Sequence, residues 1–104
     1  DELGALERIL SPDINFKDLV FIECGNDCGN NSNGKVIDYE YKNGYLRLNT
    51  ESQTGGWLVF SESYDRNWQA KINDSVVPIY RANYIYQAIK IPTGKSRIEF
   101  KYQL

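Results

Sequence analysis

The spacing of apolar residues along this chain changes period once. Over 2–10, Leu3, Leu6, Ile9 and Leu10 recur three or four positions apart, which sets them on one face of a helix. Asp1 can cap the start of that run and Ser11-Pro12 ends it, so a short amphipathic helix is predicted over 2–10. From 18 to 102 the period is two, and the residues are β-branched and aromatic.

Strands are predicted at 19–23, 35–42, 45–50, 57–63, 68–72, 76–80, 84–91 and 97–102. Ile37, Tyr39 and Tyr41 alternate with Asp38, Glu40 and Lys42, and Ile98, Phe100 and Tyr102 alternate with Arg97, Glu99 and Lys101. Over 57–63 both faces are apolar, with Leu58 and Phe60 on one and Trp57 and Val59 on the other, as expected of a central strand covered on both sides. Asn43-Gly44 is expected to supply the positive backbone angles of a tight hairpin turn. Gly55-Gly56, Asn73-Asp74-Ser75 and Pro92-Thr93-Gly94-Lys95 separate later strands. Pro78 has no N–H to give to a ladder, so its strand is expected at an edge or to end there. The Gly- and Asn-rich stretch 24–34 reads as a surface loop.

About seven or eight short antiparallel strands led in by one helix predict an all-β, two-sheet sandwich. A closed barrel is the alternative.

A length of 104 residues with 41% hydrophobic content suits a single core over 1–104 and leaves no room for two. The 12 basic and 14 acidic residues are interspersed. That excludes the basic stripe that nucleic acid requires and a polybasic segment for anionic lipid. No apolar stretch is long enough to span a bilayer, a compact one such as 19–22 being far too short. The chain has no methionine, opens inside the first turn of its helix and closes just past a patterned strand. It is therefore expected to be a segment of a longer protein.

Cys24 and Cys28 are the only cysteines and histidine is absent, so the chain alone cannot furnish the four soft ligands of a zinc site. Their spacing is not that of a CxxC redox pair. In an exported domain a Cys24–Cys28 disulfide is expected, with two inert thiols as the other reading, and so short a loop gains little from closure. No cofactor is expected.

Five pieces in order, Trp57-Leu58-Val59-Phe60-Ser61-Glu62-Ser63-Tyr64, Trp68-Gln69-Ala70, Pro78-Ile79-Tyr80-Arg81-Ala82-Asn83-Tyr84, Ile91-Pro92-Thr93-Gly94-Lys95 and Glu99-Phe100-Lys101-Tyr102, together resemble the C-terminal extracytoplasmic domain of YfhO-like bacterial membrane proteins. The match covers about half the chain well. Asn67 stands where that family has Gly before the Trp, Asn73-Asp74 replaces Asp-Gly, Ser96 stands in the place of a His, and Leu104 in that of a Pro. The resemblance implies a parent with many transmembrane helices, similar to membrane glycosyltransferases that use lipid-linked sugars, with this module on the outer face of a bacterial membrane. Its implied partner is its own transmembrane portion, and transferase chemistry would belong there.

Tyr64, Trp68, Arg81, Asn83 and Tyr84, with Tyr86 nearby, are the residues a carbohydrate-binding surface would use. Aromatic rings stack on the apolar faces of sugars, while Arg and Asn bond hydroxyls. The bland reading is that Trp68 and the tyrosines fill or rim the core. Glu62 and Asp65 could be imagined as a glycosidase-like pair, but solvated turn carboxylates are the better expectation. Ser61 and Ser63 lack a histidine base, and the Asn-rich loop lacks the ligand register of a calcium loop. With the resemblance, the sequence thus reads as a non-catalytic accessory domain of an envelope membrane protein handling lipid-linked sugars, which either holds a cell-envelope glycan acceptor near the membrane or only packs against its own transmembrane portion. The alternative is a free-standing carbohydrate-binding or adhesive surface module, and a small glycoside hydrolase is a distant third.

Overall fold

A computed structural model describes residues 2–10, 19–24, 32–33, 35–62, 65–83 and 85–103. Among these residues helix α1 (Glu2–Ile9) precedes ten strands: β1 (Leu19–Glu23), β2 (Ser32–Asn33), β3 (Lys35–Lys42), β4 (Tyr45–Ser52), β5 (Gly56–Phe60), β6 (Trp68–Ile72), β7 (Ser75–Val77), β8 (Tyr80–Ala82), β9 (Tyr86–Ile91) and β10 (Gly94–Tyr102). They form two antiparallel five-stranded sheets, ordered β2-β1-β5-β9-β8 and β3-β4-β10-β6-β7. The fold is the expected all-β sandwich.

Period-two alternation builds the core between the sheets. Phe21, Leu58, Phe60, Ile89 and Ile91 of the first sheet meet Leu46, Leu48, Trp68, Ala70, Ile72, Ile98 and Phe100 of the second. On the other face of the first sheet, Leu6 of α1 and Leu10 just after it cover Ile22, Trp57, Val59, Ala82 and Ala88. Strand β5 is therefore buried at every position, because it lies at the centre of a sheet with a layer on each side. The outer face of the second sheet carries polar residues at the alternate positions, such as Asp38, Glu40, Lys42, Arg97 and Lys101.

Two local readings need correction. The single strand expected at 76–80 is two: β7 ends at Val77 in the second sheet and β8 begins at Tyr80 in the first. Pro78 sits at the crossing between sheets, which a residue without an N–H can occupy at no cost to a ladder. At the β3–β4 turn only Gly44 has positive φ, +78°, and Asn43 does not. The pair of positive angles that characterises the mirror-image hairpin turn occurs instead at Asn73 (50°) and Asp74 (72°), between β6 and β7. Asn and Asp tolerate this region, so Asn73-Asp74 serves where a glycine is usual. The turn is also held from outside: the N–H of Arg97 donates to Asn73 Oδ1 at 2.8 Å and the Asn73 N–H to the Arg97 carbonyl at 2.8 Å.

Thr50 and Ser96 face each other across β4 and β10, on the core side of the sheet. Both are buried, and among the described residues neither hydroxyl has a hydrogen-bond partner. A buried hydroxyl without a partner costs about 1–3 kcal/mol. Thr50→Val keeps the shape and removes the polar atom, so it is expected to stabilise the domain by about 1 kcal/mol, a rise in Tm of about 5 °C for a chain of this size. A thermal melt that moves downward would show that the hydroxyl is satisfied.

Candidate functional site

The segment between β5 and β6 carries the chemistry at one end of the sandwich. It leaves the core at Phe60 and returns at Trp68. Asp65 organises the return: its Oδ1 accepts from the Asn67 N–H at 2.9 Å, its carbonyl from the Trp68 N–H at 3.0 Å, and its Oδ2 from the Tyr102 hydroxyl at 3.0 Å. An Asp accepting from the backbone two residues on is a turn-forming habit of this side chain. Glu62 is tied from two other strands. Its Oε2 accepts from the Tyr41 hydroxyl at 3.2 Å, and its carbonyl from Gln87 Nε2 at 3.3 Å.

Trp68 stands between these anchors. Its ring makes edge contacts with Phe60 (5.6 Å between centroids) and Tyr102 (5.3 Å), and Tyr41 in turn touches Phe60 at 6.1 Å. The result is a cleft of about 300 Å³ lined by Tyr41, Asn43, Gly44, Glu62, Asp65, Trp68 and Tyr102. Trp68 and Asp65 also line a second cleft of about 490 Å³, together with Arg66, Gln69, Val77, Ile79 and Gln103. The β3–β4 turn is held against this end by the Tyr102 N–H, which donates to the Gly44 carbonyl at 2.9 Å. Trp68 is buried in the inter-sheet core and backs the cleft, while the carboxylate, amide and phenol groups around it can bond the hydroxyls of a polyhydroxylated ligand.

The other residues picked from the sequence lie elsewhere. Arg81 is exposed on edge strand β8, and the register sets it in one transverse row with Gln87 and Phe60, two strands from the start of the 61–67 segment. Tyr86 is half-buried against the helix-side core. Tyr64 and Tyr84 lie outside the described residues. Cys24 is disulfide-bonded, and Cys28, the only other cysteine, lies outside them.

Asn83 holds the helix. Its Nδ2 donates to the Glu7 carbonyl at 3.3 Å and to the Leu10 carbonyl at 3.1 Å, and its N–H donates to Glu7 Oε2 at 2.9 Å. The last carbonyls of a helix have no partner within it, so this amide closes the end of α1 from 73–76 residues away. Asn83 also has a φ of 49°. Asn83→Ala is expected to cost about 2 kcal/mol, combining lost capping with a left-handed backbone that alanine disfavours. Asn83→Gly relieves the backbone and should cost about half as much. Urea unfolding of the two variants separates the terms; equal losses would assign the whole effect to the amide.

The shifted acidities lie on the outer face of the second sheet, away from the cleft. Burial pushes the Tyr45 phenol up from its ordinary value, aided by its hydrogen bond of 3.0 Å to Glu99. A hydrogen bond to Asp74 holds the Arg97 guanidinium more firmly protonated. Among the described residues no cluster of His, Cys, Asp and Glu could hold a metal ion, and no helix is long and apolar enough to cross a membrane.

Residues 29–104 match the family model of the bacterial membrane protein YfhO. The chain belongs to the YfhO family. The match takes in β2 to β10, and with them both clefts; α1 and β1 precede it. No curated protein and no solved structure matches the chain. Within this YfhO-family domain, the family-like pieces 57–64, 68–70 and 99–102 supply Glu62, Trp68 and Tyr102. Tyr41 and Asn43 come from outside them. Sequence reasoning missed Tyr41, Asn43 and Tyr102 as members of a site. Each is an ordinary member of a strand or turn pattern, and only the β3–β4–β10–β6 register brings them to Trp68.

Proposed function

We propose that this chain is a non-catalytic, extracytoplasmic accessory domain of a bacterial multi-pass membrane protein linked to cell-envelope glycosylation, and that its Trp68 cleft holds envelope glycan beside the membrane. The observation that carries the reading is the assembly of Trp68, Tyr41 and Tyr102 with Glu62, Asp65 and Asn43 around one opening. Membership of a membrane protein family supports attachment to a membrane, and likeness to transferases acting on lipid-linked sugars supports the link to glycans. The carboxylates act here as hydrogen-bond acceptors that position tyrosine hydroxyls rather than as an acid and a base. Chemistry on the sugar belongs to the membrane portion.

Cosedimentation with purified cell-wall polysaccharide tests this reading. The domain is expected in the pellet in proportion to polysaccharide added, with the glycan chain length unchanged afterwards. Glu62→Ala and Tyr102→Phe, both on the cleft, should each weaken retention about fivefold, since each removes a group facing the ligand. Retention insensitive to both variants, or shortening of the polysaccharide, would overturn the reading.

A further inference from the structure

Strand β3 is the end strand of the second sheet, and among the described residues its hydrogen-bonded neighbour is β4. Edge strands of this length are templates for another strand. Two features mark this one. Tyr39 and Tyr41 lie opposite Leu48 and Leu46, which are fully buried, yet the tyrosines are 53% and 49% exposed. Strand β3 thus overhangs the core and presents aromatic surface on its core-side face. On its other face Asp38, Glu40 and Lys42 follow one another.

We infer that β3 pairs antiparallel with β3 of a second copy of this chain, about a two-fold axis at Glu40. In that register Asp38 meets Lys42 of the second copy and Lys42 meets its Asp38, while Tyr39 meets Tyr41 twice. Opposite charges and aromatic pairs directly across strands are the stabilising contacts of a sheet. An axis at Tyr39 sets Asp38 against Glu40, and an axis at Asp38 sets Asp38 on itself. An axis at Tyr41 keeps opposite charges together but sets Tyr39 against the turn residue Asn43. Of these four axes the Glu40 axis alone gives two opposite-charge pairs and two aromatic pairs. The one like-charge contact it makes, Glu40 on Glu40, is offset in each copy by Arg47 at 3.9 Å and by Lys42 at 3.4 Å, which Glu40 shares with Asp38 of the second copy.

The backbone permits this pairing. Lys42 and Tyr45 flank a two-residue turn and exchange the first hydrogen bonds of the hairpin, so in the alternating antiparallel pattern Glu40 points its N–H and C=O at β4 and Tyr39 points its own outward. The dimer joins two five-stranded sheets into one. It also sets Tyr39 of the second copy beside Tyr41, which lines the Trp68 cleft. Each copy thereby extends the other's cleft with an aromatic ring, and a glycan chain can lie across both.

Cysteine cross-linking and sedimentation equilibrium test the register. Glu40→Cys sets two thiols opposite each other at a non-hydrogen-bonded pair, where Cα atoms lie about 4.5 Å apart, within disulfide range. It is expected to yield a covalent dimer under mild oxidation, and Asp38→Cys is not. The native Cys24 does not compete, because it is disulfide-bonded. Lys42→Asp should weaken association about tenfold or more by facing Asp38 with a like charge twice, and the double variant Asp38→Lys, Lys42→Asp should restore it to within about threefold of the parent. A parent chain that stays monomeric to millimolar concentration, a Lys42→Asp variant that associates as tightly as the parent, or equal cross-linking of the two cysteine variants would overturn the inference.

Discussion

Replacing Gly56 with alanine is expected to detach β1 from the sandwich. Gly56 opens β5 opposite Glu23. A Cβ built there lies 1.9 Å from the Ile22 carbonyl oxygen and 2.9 Å from both the Ile22 carbonyl carbon and the Glu23 Cα. All three are backbone atoms of β1, so no side-chain rotation relieves the contact. Strand β1 must move, and with it Phe21 and Ile22, which lie in the two opposite cores. Forced overpacking costs about 1–3 kcal/mol when the surroundings can adjust. Here the obstacle is a hydrogen-bonded strand, and a loss of about 4 kcal/mol or more is expected. That is a large share of the roughly 5–15 kcal/mol available to a domain of this kind. Urea unfolding measures the loss, and hydrogen exchange locates it: protection should vanish first over Leu19–Glu23 and Gly56–Phe60. A variant within about 1 kcal/mol of the parent would mean that β1 and β5 do not approach as closely as described.

Phe60→Ala is expected to be nearly as damaging, for the opposite reason. Phe60 is 2% exposed, and its ring meets Trp68 at 5.6 Å, Phe100 at 5.3 Å and Tyr41 at 6.1 Å. Truncation leaves a void among three aromatic rings, on β3, β6 and β10, that are anchored by separate strands and cannot close over it. A cost of about 3–5 kcal/mol follows from lost transfer energy and the cavity together. The effect reaches the candidate site, because Phe60 backs both Trp68 and Tyr41. A concentrated screen with denaturant should therefore show a lower midpoint and, in native conditions, a broadened Trp68 indole signal. Phe60→Leu, which refills most of the volume, should recover more than half of the loss. Equal losses for the two substitutions would point to a role other than packing.

Both predictions fall on a strand that the sequence describes well. Alternate apolar faces over 57–60 are what a strand between two layers requires, and β5 is such a strand. Pro78 was informative as well, though it marks a change of sheet and not merely an edge. What the sequence could not supply was register across distance. Asn83 reads as a hydrogen-bonding residue on a turn, and that chemistry is right. Its partners are carbonyls of a helix more than seventy residues earlier, which no local pattern encodes. Tyr41 and Tyr102 read as strand residues. They become part of one cleft because β3, β4 and β10 are consecutive in the second sheet. Glu62 and Asp65 read as turn carboxylates, and they are, but each is oriented by a tyrosine hydroxyl from another strand.

The two tryptophans give the central claim an internal control. Trp68 lines the cleft, while Trp57 lies on the helix side of the first sheet, edge-on to Tyr80 at 5.6 Å and beneath Lys90 at 5.0 Å. Titration of the isotope-labelled domain with cell-envelope glycans, including teichoic-acid and polysaccharide fragments, followed by NMR, reads both indoles at once. Saturable shifts of the Trp68 indole and of the Tyr41, Asn43, Glu62 and Asp65 amides, with the Trp57 indole unmoved, are the predicted result. A spectrum unchanged across the panel, or shifts centred on Trp57, would contradict a glycan-holding cleft at Trp68.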